Sequence, residues 1–250
     1  MNFFGDYHTH SRYSDGLQSV EDIVRAAQRR GLKEVAVTDH GPDMLLIGIK
    51  NADRYLKLKE ELKVLNDSGQ YGVKVLLGAE ANILDLKGTL DIPDNIARQM
   101  DILIAGLHPY TRPASLDDGL KIWVQNSLRH MGKRQKEKAK NANTKASCEA
   151  LYNNPEINIL SHPGLVFAVD IKEVAHACVK NDVWFEINCA HKYPLISDII
   201  EAEQTGVDFI VNSDAHYPAS VGQLSYGEYI IKRLHLDPQR VANSWDEGEC

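Results

Sequence analysis

Two histidines one residue apart, His8 and His10, lie close to the start of the chain. In an extended segment, residues i and i+2 share a face, so such a pair can grip one cation. Asp214 and His216 repeat the spacing near the other end. Between them Asp39-His40, Glu80, His108 and Ser161-His162 each follow a short apolar run. Glu80 is the most telling of these, because a carboxylate there must be paired, hydrogen-bonded or coordinated; burying it alone is costly. Taken singly, His8-x-His10, Thr38-Asp39-His40 or Ser161-His162-Pro163 suits a packed or surface histidine as well as a ligand. Taken together they form a histidine- and carboxylate-rich set with no cysteine. That donor set suits Zn, Mn or Fe without choosing among them. The chemistry of such a multinuclear site is metal-assisted hydrolysis.

These residues need a frame that brings distant positions together. Seven short apolar runs supply candidate strands: Phe3–Tyr7, Glu34–Thr38, Val73–Leu77, Ile102–Leu107, Ile157–Leu160, Val183–Ile187 and Phe209–Asn212. Most are rich in Val, Ile or Leu, as buried parallel strands are. Amphipathic segments lie between them. Ser19–Arg30 opens with a capping box, Ser19 with Asp22 three residues on, and Gly31 is placed to end it. Asp53–Asn66, Ile171–Lys180 and Leu195–Gln204 carry the same helical spacing. Strand and helix alternating along the chain predict a parallel α/β fold in one domain, residues 1–250. In a parallel barrel the loops after the strands converge at one end. Seven of the ten histidines fall at strand ends; His130, His176 and His235 sit in helix-like contexts.

Charge and composition bound the partners. The net charge of −7 argues against a nonspecific grip on nucleic acid. A small phosphorylated substrate stays open, since bound metals reverse the local sign. Cys148, Cys178, Cys189 and Cys250 contain no C-x-x-C pair. With no secretory leader and no apolar run long enough to span a bilayer, the expectation is a cytoplasmic protein without a membrane segment. Arg129–Lys145 holds seven Lys or Arg and one acid. It reads as the solvated face of an outer helix, or as a basic rim that attracts an anion. The acidic tail Asp246–Cys250 reads as frayed.

Six blocks resemble the polymerase-and-histidinol-phosphatase (PHP) superfamily. They are DYHTHSRYSDG at 6–16, AVTDHGPDM at 36–44, LLGAEANI at 76–83, IAGLHPY at 104–110, LSHPG at 160–164 and NSDAH at 212–216. TDHGPDM with GAEANI is closest to the stand-alone trinuclear phosphatases of that superfamily. The resemblance implies a distorted, TIM-like (β/α)7 barrel with its metals at the C-terminal ends of the strands. It implies two to three divalent ions: His8, His10, Glu80 and Asp214 for the first; Glu80, His108 and His162 for the second; Asp15, His40 and His216 for the third. Asp15 departs from the histidine often found there in the nearest phosphatases, while other members carry Asp in the same Tyr-Ser-Asp-Gly setting.

The activity implied is hydrolysis of small phosphate monoesters by a metal-bound hydroxide, with Glu80, Asp214 and His216 carrying catalysis. Arg12, Arg112, His191 and Lys192 are the candidates for substrate contact, and Asp39 is expected to orient a histidine rather than bind metal. Three alternatives remain. One is a phosphodiesterase or nuclease of the same superfamily. The second is a carbon–nitrogen hydrolase of the amidohydrolase type, whose bridging lysine would come from the fourth strand; here that strand ends in His108. The third is a metal-binding scaffold without catalysis.

Overall fold

The computed structural model describes residues 2–115, 117 and 120–245. The frayed-tail expectation for 246–250, and Cys250 with it, lies outside the described residues. Seven parallel strands run in the order β2 to β8: β2 (Gly5–Asp6), β3 (Glu34–Val37), β4 (Lys74–Asn82), β5 (Ile102–Gly106), β6 (Ile159–Leu160), β7 (Trp184–Asn188) and β8 (Phe209–Asn212). The backbone just beyond β2 meets the backbone just beyond β8 in a parallel Thr9–Ala215 bridge. The N–H of His10 donates to the Ala215 carbonyl at 2.8 Å, and that of Ala215 to the His8 carbonyl at 3.2 Å. First and last strands thus nearly close a barrel, as the sequence led one to expect.

Helices fill the crossovers: α1 (Val20–Arg29), α2 (Asp53–Ser68), α3 (Asp94–Ala97), α4 (Gln125–Leu128), α5 (Lys133–Asn153), α6 (Ile171–Asn181), α7 (Ile196–Glu203) and α8 (Ser225–Leu234). A short antiparallel pair, β1 (Asn2–Phe3) with β9 (Ser244–Trp245), ties the two ends of the described chain together. The α1 capping box forms as read. Ser19 Oγ accepts from the Asp22 N–H at 3.1 Å, and the Asp22 carboxylate accepts from the Ser19 N–H at 2.9 Å. The basic segment forms the first half of α5, where Lys133, Arg134, Lys136 and Lys138 are exposed. No helix among the described residues is long and apolar enough to cross a membrane.

The strands have two kinds of face. Outward positions such as Val35, Val37, Val75, Leu77, Leu103, Phe185, Phe209 and Val211 pack in one apolar cluster with the helices. Inward positions form a second, smaller cluster of Tyr7, Ala36, Leu76, Ile102, Ile104, Ile159 and Ile210. Further along β3, β4, β7 and β8 the inward face turns polar and stays buried: Thr38, Glu80, Asn82, Glu186, Asn188 and Asn212. The barrel is therefore plugged with hydrocarbon below and lined with hydrogen-bonding groups above.

Candidate metal centre

The polar end gathers the residues singled out by type and spacing. Glu80 lies inside β4, a strand that runs five residues beyond the apolar run ending at Leu77, and it is 1% exposed. Its two oxygens face different partners. Oε2 is 3.0 Å from His40 Nδ1, 3.1 Å from His8 Nε2 and 3.5 Å from His10 Nε2. Oε1 is 3.0 Å from His108 Nε2 and 3.2 Å from His162 Nε2. Asp214 Oδ1 is 3.2 Å from His10 Nε2 and 3.7 Å from His8 Nε2. On the other side Asp15 Oδ2 lies 3.2 Å from His216 Nε2 and 3.8 Å from His40 Nε2, with Asp15 Oδ1 3.7 Å from His10 Nδ1.

Three sets could each hold a cation: His10, Asp15, His40 and His216; His8, His10 and Glu80; His40, Glu80 and His108. The buried atoms His8 Nε2, His10 Nδ1, His10 Nε2, His40 Nδ1 and Glu80 Oε2 have no hydrogen-bond partner. Orphaned polar atoms at this density are far too costly for a passive core, and they converge on shared points. Imidazole and carboxylate donors in this arrangement fit divalent metals. Asp214 and His162 adopt left-handed φ values of 53° and 26°, a conformation that costs ordinary residues free energy and aims both side chains inward.

Electrostatics agree with the geometry. Burial disfavours ionised Glu80, but His8, His108 and His40 outweigh it and hold the carboxyl well below its usual range. Burial works the same way on Asp15, where the His216 hydrogen bond and the charges of His10 and His40 bring it down to about 2. Burial keeps His108 neutral down to about 4 despite Glu80. On His216 burial is overcome by Asp15 and Asp214, which raise it to about 9.

Several groups that hold the candidate ligands in place were not among the expectations from the sequence. Glu186, fully buried on β7, accepts from His8 Nδ1 at 2.7 Å and from the His162 N–H at 2.8 Å. It therefore fixes which nitrogen of His8 faces Glu80. Asn82 Oδ1 accepts from His108 Nδ1 at 2.8 Å, while Asn82 Nδ2 donates to Asp91 Oδ2 at 2.6 Å. Asn188 Nδ2 donates to Asp214 Oδ2 at 3.1 Å. The signal for Glu186 was present: an acid inside the apolar run VWFEI, the argument already applied to Glu80.

The remaining expectations divide. His191, about half exposed, brings Nε2 to 3.4 Å from Asp214 Oδ2, with exposed Lys192 beside it. Arg12 is exposed on the loop that carries Asp15. Arg112 is exposed and 3.7 Å from Asp43. Asp39 corrects its expectation. Its carboxylate accepts from the Ser11 N–H at 2.7 Å, Ser11 Oγ at 2.6 Å and Ser14 Oγ at 2.5 Å, so it braces the Asp15 loop rather than a histidine. Serine hydroxyls each one residue from a candidate ligand, Ser11 after His10 and Ser14 before Asp15, take the carboxylate instead of an imidazole. A pocket of about 570 Å³ opens beside Asp214 and His216, walled by Cys189, His191, Tyr217 and Gln223.

A PHP domain family model matches residues 6–216. The chain belongs to the PHP domain family. Among its PHP relatives, a protein named probable phosphatase from Thermoanaerobacter sp. strain X514 is 30% identical over 98% of this chain and 91% of its own length. Another named probable phosphatase, from Caldanaerobacter subterraneus subsp. tengcongensis, is 29% identical over 96% of this chain and 86% of its own. In structure the chain is similar to a histidinol phosphate phosphatase from Lactococcus lactis, solved with zinc, L-histidinol and phosphate. The TM-score is 0.60 at 17% identity, covering 92% of each chain. That likeness shows the barrel fold alone.

Proposed function

We propose that this PHP protein is a metal-dependent phosphatase acting on small phosphate monoesters, with two to three divalent ions held by His8, His10, Asp15, His40, Glu80, His108, His162, Asp214 and His216. The observation that carries the reading is the split of Glu80: one oxygen toward His8, His10 and His40, the other toward His108 and His162. A single buried carboxylate serving two imidazole sets is what a bridging ligand requires. The names of the curated relatives and the zinc, L-histidinol and phosphate bound by the Lactococcus protein support the same chemistry. Divalent ions bound here supply Lewis acidity, making water acidic and neutralising phosphate oxygens.

The chain's own residues do the rest. Glu186 and Asn82 hold His8 and His108 in one ring orientation, so the ligand frame is set before substrate arrives. Asp214 and His216 line the 570 Å³ pocket, which receives the organic part of the ester. His191 and Lys192 contact the substrate from that pocket's rim, and Arg12 and Arg112 from the opposite loops. The test is metal analysis of gently purified protein, with turnover compared on an aryl phosphate monoester, a phosphodiester and single-stranded DNA. Monoester turnover that a chelator abolishes is expected. Predominant cleavage of DNA or the diester overturns the monoesterase reading. Fewer than one ion per chain, with no hydrolysis after reconstitution, means a scaffold.

A further inference from the structure

The metal-bearing end of the barrel carries another recess, of about 340 Å³, lined by Arg12, Tyr13, Lys50 and Arg54. Three of its four walls are cations in a chain whose net charge is −7. Among the described residues none of the three cations is in an ion pair. The nearby carboxylates hydrogen-bond to other groups, although Asp22 still attracts Arg12 at longer range. Asp22 serves the Ser19 cap, Asp39 holds Ser11 and Ser14, and Glu61 accepts from the Tyr13 hydroxyl at 2.9 Å. Exposed Asp53 does not line the recess.

Helix stability does not explain these charges. Lys50 precedes α2 and Arg54 lies in its first turn, at the positive end of the helix dipole, where a cation is disfavoured. Three like charges around one cavity also repel one another. An oxyanion in the recess turns both penalties into attraction, and two guanidinium groups offer forked donors that match it.

The recess is joined to the ligand frame through the backbone. Arg12 lies two residues after His10 and three before Asp15, on the loop that Asp39 pins through Ser11 and Ser14. Lys50 follows the buried Ile49, whose N–H donates to the His40 carbonyl at 3.0 Å. The recess is therefore built on the same two loops that carry Asp15 and His40. Building on the phosphatase reading, we propose that Arg12, Lys50 and Arg54 hold a second, non-scissile oxyanion of the substrate. The preferred ester then carries a phosphate at the metal centre and another phosphate or a carboxylate in this recess.

A matched series of esters tests the assignment: a plain phosphate monoester, the same skeleton with a second phosphate, and the same skeleton with a carboxylate. In the wild-type protein the second oxyanion raises kcat/KM by about tenfold or more. The arm with the larger ratio identifies phosphate or carboxylate. In a Lys50→Ala, Arg54→Ala variant the ratio falls toward one, and a Lys50→Arg, Arg54→Lys variant retains it. A variant that folds poorly lowers every ester alike and leaves the ratio unchanged, so the ratio reports the recess itself. A wild-type ratio near one, or a ratio indifferent to both cations, overturns the proposal. If metal-loaded protein hydrolyses none of the esters, the phosphatase reading fails instead. Sulfate binding to metal-stripped protein then decides the recess: weakening in the Ala variant supports an oxyanion site, and no change removes it.

Discussion

The two sides of the ligand frame are built differently. On one side Glu80 Oε1, His108 and His162 are almost sealed from solvent, with exposures of 1%, 7% and 7%. His108 is anchored from behind by Asn82, which Asp91 holds in turn. On the other side the side chains of Asp15 and His216 are 21% and 32% exposed. His216 Nδ1 donates to the Asp214 carbonyl at 3.0 Å and lies 3.6 Å from Asp214 Oδ1, and Asp15 sits on a surface loop. Buried donors with fixed second contacts bind metal tightly and exchange it slowly; exposed donors on a loop do neither. The contrast teaches that the two sides differ in rigidity: the sealed side is a fixed frame, and under the proposed function the open side is the one that would exchange an ion.

The largest effect should come from the residue both sides share. Glu80→Ala removes the carboxylate whose two oxygens face the two imidazole sets, and activity should fall by roughly 1,000-fold or more. Metal content measured on the same sample should fall with it, while the circular dichroism spectrum stays folded. Near-wild-type turnover would show that Glu80 bridges nothing. A smaller effect is expected one contact away. Glu186→Gln weakens the anchor of His8 and should reduce metal affinity by about 10- to 100-fold. Saturating metal should restore much of the turnover, a rescue that Glu80→Ala cannot show. Equal loss at all metal concentrations would make Glu186 a folding residue alone.

Why Glu80 was legible and Glu186 was not is a matter of strand ends. The candidate ligands that stand in loops, among them His8, His40, His108 and His216, announce themselves because polar clusters interrupt apolar runs. The seven strands and the capped α1 follow the same logic, but the run Phe3–Tyr7 divides between β1 of the antiparallel pair and β2 of the barrel, and Ile157–Leu160 keeps only Ile159–Leu160 as strand. β4, however, continues through Gly78–Asn82, paired with Ile102–Gly106 of β5, although its inward residues there are no longer apolar. Hydrophobicity marks where the lower core ends; backbone pairing carries the strand past it. Glu186 hides for the same reason, sitting between outward Phe185 and Ile187 in a run that looks uniformly buried. Contacts such as Asn82 with His108, or Asp39 with Ser11, need the register of neighbouring strands, which no single segment encodes.

The open side offers a third, milder test. Asp15→His exchanges one ligand type for another on an exposed loop, so monoester turnover should stay within about tenfold of wild type. A chelator should strip one ion from the protein faster than the rest, and that ion should be the one whose retention this substitution changes. Complete inactivation would place the carboxylate itself in the chemistry and make the open side as exacting as the sealed one.

The smallest effect concerns metal-free protein and separates the sides by pH. Asp15 lies at about 2 against an ordinary 3.8, so its pairing contributes stability above 3.8 that is lost as pH falls through 2. His216 lies at about 9 against an ordinary 6.5, so its contribution is complete below 6.5 and fades as pH rises through 9. Both signs hold together only between about pH 4 and 6.5, where the pair is at full strength. Partial exposure screens it, leaving about 1 kcal/mol. Thermal melts of metal-stripped wild type and Asp15→Asn should therefore differ most near pH 5.5 and converge above pH 9. His108, held neutral down to about 4, lowers stability as pH falls from 6.5 toward 4, because its imidazole gains a proton there only in the unfolded chain; this contribution is common to both proteins and cancels in their difference. A constant difference from pH 5 to 10 would mean that Asp15 stabilises its loop through neutral contacts, and that the open side is held together by packing rather than charge.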